Sequence, residues 1–407
     1  MVRHARRLRS GQSTPELASI QLDRRRFFVV LGGLAAWQAW QAATPSLALA
    51  KRLAGTLPAL QPWSLPDALP ANPIEAARAL VGAAVLAPSY CNAQPWRFEV
   101  DTSELRILLD AARTLPLSDP DQRFAQMSIG AALENLLVAA RAWGQQPSVR
   151  YLPWGASPRP GSALLAAAVS WQPSDRPRDQ LLRFALTERR SNPRPFDGRA
   201  IASQNRAQLL AQVGEETRVH WLEDRDEVRA VGEIVHDAVA TVMQDRRAQA
   251  ERLAWMRGSD GDAREHGDGM TPERLGLGAP ARWISGRSLR PESRFYGWGR
   301  SSLAKDTRDL VRSAGALALL TLPARSDEGW LMGGQAYERF ALRAATLGIA
   351  QHPIAAPIAS ERHRAILVRR FHADGEEPLL LVRLGHAKAP PPTPRRGVAL
   401  VSTYRTS

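Results

Sequence analysis

Residues 87–96 read Ala-Pro-Ser-Tyr-Cys-Asn-Ala-Gln-Pro-Trp, which sets a proline, a small hydroxyl and two carboxamides within ten positions. The Asn92 and Gln94 side chains each carry two donors and an acceptor, suited to the carbonyls and ring nitrogens of a flat heterocycle. The plainer reading of the run is a proline-terminated helix end before a strand.

The flanking elements give the run its place. Ile74–Ala87 is rich in Ala, Leu and Val at helical spacing, and Trp96–Val100 alternates as a strand does. A polar loop at a helix end is where ligand contacts concentrate. Residues 52–75 hold five prolines and read as an extended arm. Further on, Gly130–Gly144 and Gly334–Gly348 match at an offset of 204 residues, sharing Gly, Ala and Glu at the first, third and fifth positions and a closing Gly. Both have helical period with a glycine stop, which implies a tandem duplication. Asp226–Met256 reads as one long charged helix, followed from Gly258 by a Gly/Asp-rich loop, inside an insertion at about 226–305.

Bulk properties narrow the function classes. At 407 residues, with 44% apolar and 23% charged residues, the chain is globular and can bury one large core or two ordinary ones. The formal charge of +14 is almost all arginine, since only Lys51, Lys305 and Lys388 are lysines. There is no compact basic run interleaved with aromatics, so nucleic acid is not an expected partner. The basic surface favours anionic ligands. Cys91 is the single cysteine, which excludes an intramolecular disulfide, and the eight histidines show no metal-ligand spacing. Near the start, Asp23-Arg24-Arg25-Arg26-Phe27-Phe28 leads into apolar Val29–Ala36 and ends at Ala48-Leu49-Ala50. This is the layout of a secretory signal over 1–50, and its Arg-Arg-x-Phe-Phe core resembles the twin-arginine type. Export through the twin-arginine machinery to the periplasm is expected, with an uncleaved signal anchor as the other reading.

The run Pro-Ser-x-x-Asn-x-Gln-Pro-Trp resembles the FMN-binding loop of the nitroreductase family. Arg189-Arg190-Ser191-Asn192-Pro193-Arg194-Pro195-Phe196-Asp197 resembles that family's N-terminal Arg-x-Ser-x-Arg/Lys-x-Phe motif. Asp119–Arg123, the Asn and Pro of the second motif, Arg383-Leu384-Gly385 and Pro390–Arg396 resemble the Acg-type branch. The resemblance implies an α+β fold whose halves, about 76–175 and 176–400, form the family's dimer inside one chain, leaving it monomeric. Each motif occurs once, so one complete FMN site is expected and its twin should be degenerate. Arg189, Arg190, Ser191 and Arg194 from one half, with Arg395 and Arg396 from the tail, would hold the phosphate and ribityl chain. Pro88, Ser89, Asn92 and Gln94 would approach the ring from the other. The family's second basic residue falls here on Pro193, with Arg194 one place later, so binding is better supported than reduction. An oxidoreductase passing electrons through FMN, from an unidentified donor to a nitro, quinone or similar small acceptor, is the leading expectation. An FMN-sequestering protein without nicotinamide-dependent turnover is the alternative, and an exported binding module for another planar anion is a third. The insertion is read either as a lid over the flavin or as a peripheral helical hairpin.

Overall fold

Asn72 opens helix α1 (Pro73–Ala84) by accepting from Ile74 N at 2.9 Å and Glu75 N at 3.2 Å, with Pro73 in the first turn, where no donor is missed. The computed structural model describes residues 62–101, 104–156, 163–176, 180–275, 290–326 and 328–404, all in one unit spanning 54–407. The expected signal at 1–50 and the arm up to residue 61 lie outside the described residues. After α1 come strands β1 (Trp96–Val100) and β2 (Leu105–Leu109), helix α2 (Arg123–Ala142), and strands β3 (Gln145–Tyr151) and β4 (Leu164–Pro173). Helix α2 is buried on almost every side, including at the polar Ser128, Glu134 and Asn135.

Helix α3 (Gln180–Glu188) and the Arg-Arg-Ser segment lead to helix α4 (Ser203–Leu210) and strand β5 (Arg218–Leu222). The insertion follows, with helices α5 (Arg225–Val242), α6 (Arg246–Ala254), α7 (Asp260–His266) and α8 (Tyr296–Arg312). The long helix expected over Asp226–Met256 is in fact two. Asp245 starts a new helix by accepting from Arg247 N at 2.9 Å and Ala248 N at 3.0 Å, so the chain turns there. Then come β6 (Ala316–Leu322), helix α9 (Gly329–Thr346), β7 (Ala350–Ile354), β8 (Glu377–Gly385) and the short β9 (Ser402–Tyr404). No helix among the described residues is long and apolar enough to cross a membrane.

The α+β class is as expected, and one topology occurs twice. The first sheet runs β3-β4-β2-β1 and the second β7-β8-β6-β5, every neighbouring pair antiparallel, each with its helix between the second and third strands in sequence. Strand β9 adds to β1 in parallel and fastens the C-terminus to the first sheet. The two central helices, α2 and α9, cross in contact. A Cβ on Gly130 would lie 2.0 Å from Leu331 O, and one on Gly334 would lie 2.1 Å from Met127 O. Each member of the first contact has its counterpart 204 positions away in the second, so the crossing is a pseudo-two-fold one. Glycine is the residue that allows backbones this close.

The open edge of the second sheet is held by charge. Glu376 accepts from Thr321 of β6 and from Arg218 of β5, and pairs with His220 of β5 at 2.7 Å. Burial pushes this carboxyl up, but the hydrogen bonds from Thr321, His220 and Arg218 outweigh it and hold it down at about 2. A carboxyl depressed on folding stabilises above its ordinary value of 4.5 and loses that contribution as the pH falls through about 2. A Glu376→Gln variant should therefore be less stable than the parent at pH 7, by about 1–2 kcal/mol once solvent screening of Arg218 is discounted. The two denaturation curves should converge as the pH falls to about 2. A gap that persists unchanged there would mean that ionised Glu376 is not its source.

Candidate functional site

The loop after α1 has an unusual backbone. Cys91, Asn92 and Gln94 all have positive φ, at 52°, 52° and 54°. Each left-handed non-glycine residue costs roughly 1–2 kcal/mol, so the surroundings must impose the shape. Ser89 Oγ accepts from Gln94 N at 3.0 Å, and Ser128 Oγ of α2 accepts from Tyr90 N at 3.3 Å. The carboxamides then tie the loop to two distant segments. Asn92 Nδ2 donates to Gly269 O at 3.0 Å and Pro394 O at 3.2 Å, and its Oδ1 accepts from Arg395 Nη1 at 3.0 Å. Gln94 Nε2 donates to Gly267 O at 2.8 Å, and its Oε1 accepts from Arg396 N at 2.9 Å. Burial pushes the Cys91 thiol up to about 12, so it stays protonated and unreactive.

Above this loop lies a cavity of about 350 Å³, within the size range of small-molecule sites. Of the residues singled out in the sequence, Pro88, Ser89, Asn92, Arg189, Arg190, Ser191, Arg194 and Arg395 line it. The first-half loop and the Arg-Arg-Ser segment therefore face one space. Gln94 and Arg396 do not line it, which corrects two of the expected contacts. The Gln94 amide is consumed by the 267 backbone and the tail, while the Arg396 guanidinium reaches Leu400 O at 3.0 Å. Asn92 lines the cavity, but its amide is already spent on protein partners, so it braces the loop instead of reading a ring edge.

The arginines have divided roles. Arg189, 2% exposed, sets Nε 2.9 Å from Glu338 Oε1 and donates from Nη2 to Leu86 O at 2.9 Å. Burial lifts the Glu338 carboxyl to about 7 against the pull of Arg189. Asn135 joins them with its amide turned so that Nδ2 donates to Glu338 Oε1 at 2.9 Å and Oδ1 accepts from Ala87 N at 3.0 Å. Arg190 lies over the Trp63 ring at 4.1 Å and is lowered to about 10 by burial and then by Arg189. Arg395, 2% exposed, donates from Nη2 to Leu86 O and Ala87 O, both at 3.1 Å, while its buried Nε has no hydrogen bond. It is driven far below its ordinary value by burial, then by Arg189, Arg190 and Arg274. Arg194 sits exposed at the cavity wall. Among the described residues, five arginines thus face the space against the single lining carboxylate of Asp260, with Glu338 behind Arg189. Such an excess of positive charge, whose members repel one another in a largely buried place, suits an anion with several oxygens.

Several lining residues escaped the sequence reading. Asp260, Met270 and Arg274 come from the insertion, whose stretch 255–274 covers the loop while α5 packs into the core of the second half. Arg274 donates to Pro391 O at 3.0 Å and Pro392 O at 3.1 Å, and Asp268 is clamped between Arg257 and Arg113. The insertion thus contributes Asp260, Met270 and Arg274 to the cavity wall from one end and core packing through Val228, Val231 and Val235 from the other. His352 of β7 is the second omission. Arg383, fully buried beneath the Phe196 ring, donates from Nη2 to Asn192 O at 2.8 Å and Arg194 O at 2.9 Å, and from Nε to His352 Nδ1 at 3.1 Å. Burial and then Arg383 push His352 well below its ordinary value, so the imidazole is neutral and its proton sits on Nε2. The same guanidinium fixes the backbone on both sides of Pro193.

No family model matches the chain. It is similar to "Putative NAD(P)H nitroreductase Rv3131" of Mycobacterium tuberculosis, 26% identical over 354 residues that span 85% of this chain and 95% of that protein. "Putative NAD(P)H nitroreductase acg" of the same organism matches over 140 residues at 29% identity, covering 33% of this chain and 41% of that one. Among solved structures, the FMN-dependent nitroreductase NfnB of Mycobacterium smegmatis, in complex with NADPH, is 14% identical with a TM-score of 0.34, over 56% of this chain and 99% of its own. That score is below the level at which a shared fold follows. Over most of its length the chain is nevertheless a sequence relative of proteins named as nitroreductases.

Proposed function

We propose that the protein is an FMN-dependent oxidoreductase of nitroreductase type, a tandem-duplicated pseudo-dimer with one complete flavin site. The observation that carries this reading is the meeting of the Pro88–Asn92 loop and the Arg189–Arg194 segment across one buried, arginine-rich cavity. The length and names of the sequence relatives support it, and the doubled strand order supports the duplication. The residues present suit the cofactor. The orphaned Nε of Arg395, the Arg190 and Arg274 guanidiniums and the Ser191 hydroxyl form a donor set for a phosphate. Pro88, Ser89 and Pro193 supply flat walls, and neutral His352 an uncharged N–H. Bound FMN supplies the electron-accepting and electron-donating chemistry. The chain's part is to bind it, shield it and set its surroundings: Met270 and Arg274 close the space from the insertion, and the rigid loop holds its floor.

Three observations favour the second reading, a flavin-sequestering protein. Pro193 occupies the place of a charged residue, while Arg194 is exposed, and the 255–274 stretch is bolted to the loop through Asn92 and Gln94. The test is spectroscopic. Purified protein is expected to be yellow with one FMN per chain, and to bleach anaerobically with NADH or NADPH and recover on adding a nitroarene or quinone. Bleaching by dithionite alone supports sequestration, and a colourless protein that cannot take up FMN defeats both readings. For location, we infer twin-arginine export, supported by the Arg24-Arg25-Arg26-Phe27-Phe28 run. Periplasmic protein beginning after Ala50 is the expected mass-spectrometric result.

A further inference from the structure

A second cavity, of about 240 Å³, lies where the pseudo-two-fold crossing carries the first, and we propose that it is a separate binding site for a small neutral amide or lactam. The equivalence runs residue by residue. Ser128 and Ala131 of α2 line the first cavity, and Met332 and Gln335 of α9, 204 positions on, line the second. Pro353 of β7 and Val149 of β3 are related by the same interval. The loop before β1 borders one space, and the loop before β5 borders the other through Thr217. The second cavity is the smaller, and the Arg-Arg-Ser segment does not line it. It is no copy of the first site.

Its polar groups specify a ligand. Glu134 is fully buried, and its Oε2 accepts from Arg339 Nη1 at 2.7 Å and Gln335 Nε2 at 3.0 Å. Its Oε1 makes no hydrogen bond; Arg141 Nη1 stands 3.5 Å away as an ion-pair partner. The Thr217 hydroxyl, on a residue 3% exposed, also has none. Buried polar atoms without partners are rare in folded proteins and mark a place where a partner belongs. Tyr151 and Gln335 satisfy each other at 2.7 Å and do not compete. What remains buried is one bare acceptor and one hydroxyl beside the apolar Leu137, Val149, Val213 and Met332, with the exposed Glu216 and the Arg141 and Arg339 partners of Glu134 also on the wall. Glu134 already has two arginines, so a cation adds nothing, while an anion would face its bare oxygen. A neutral carboxamide can donate N–H to Glu134 and accept from Thr217, with a flat apolar body against Met332.

Benzamide, benzamidinium and benzoate share one size and differ in charge, and they form the test. Each is titrated by calorimetry into the full-length protein as purified. Benzamide is expected to bind at least fivefold more tightly than either ion. Met332→Trp, which fills the cavity, should abolish that binding. Glu134→Gln should invert the series toward benzoate, because the new carboxamide keeps its oxygen on Arg339 and turns its nitrogen to the ligand. Equal affinities for the three, a preference for either ion in the parent protein, or benzamide binding that survives both substitutions overturns the proposal. None of these readings depends on flavin content, so failure here is distinct from failure of the FMN assignment.

Discussion

A Gly334→Ala variant is expected to lose on the order of 3 kcal/mol or more of its unfolding free energy, a large loss for one methyl group. The new Cβ would lie 2.1 Å from Met127 O, a backbone atom inside a buried helix that cannot swing aside. Relief requires α2 and α9 to separate along their whole crossing, which opens space between the two cores and pulls Glu134 from Arg339 and Glu338 from Asn135. Gly130→Ala should behave alike, because its Cβ would meet Leu331 O at 2.0 Å. The double variant should cost less than the sum, since one separation relieves both clashes. Gly297→Ala in α8, whose Cβ meets nothing within 4 Å, is the control and should be neutral or mildly stabilising. Urea unfolding of the set decides the matter: a Gly334→Ala midpoint equal to that of Gly297→Ala would mean that the seam tolerates separation.

That seam was legible in the sequence because its physics acts on residue type. Close helix approach demands glycine, and a buried crossing that pairs Glu with a donor from the facing helix demands Glu in each, so Gly and Glu recur 204 positions apart. The cavity was legible in outline for the same reason: a strained loop and an arginine cluster each leave a dense local signature. The use of each side chain was not. Asn92 and Gln94 carry the donors that a heterocycle needs, but Gly267, Gly269 and Pro394 offer carbonyls that need them equally, from segments far along the chain. Residue type cannot choose between a ligand and a backbone. His352 and Arg383 are 31 positions apart and meet because β7 and β8 pair in a register that sets them opposite each other. The insertion divides for a reason visible afterwards: Asp245 is a good helix cap, yet the charged periodicity on either side of it masked the break.

The adjacent pair Arg395 and Arg396 provides the sharpest test of the site itself. The sequence gives them equal standing, whereas in the fold their side chains lead apart. Arg395 lines the cavity with an unsatisfied Nε and three neighbouring arginines, a cost that a bound phosphate would offset. Arg396 points its guanidinium to Gln94 O and Leu400 O. Replacing Arg395 by Met, which keeps much of the stem's packing, should weaken FMN retention by roughly 10–100-fold, the worth of a charge-assisted hydrogen bond of about 1.5–3 kcal/mol. Arg395→Lys should recover only part, because an ammonium cannot replace a planar fork that also holds Asn92 Oδ1, Leu86 O and Ala87 O. Arg396→Ala should retain FMN within about twofold, since its backbone N–H to Gln94 survives the change. Equilibrium dialysis of the FMN-loaded proteins measures all three. Equal weakening by Arg395→Met and Arg396→Ala would place the phosphate outside this cavity, whereas loss with Arg395 alone puts the anion between the tail and the Arg-Arg-Ser segment.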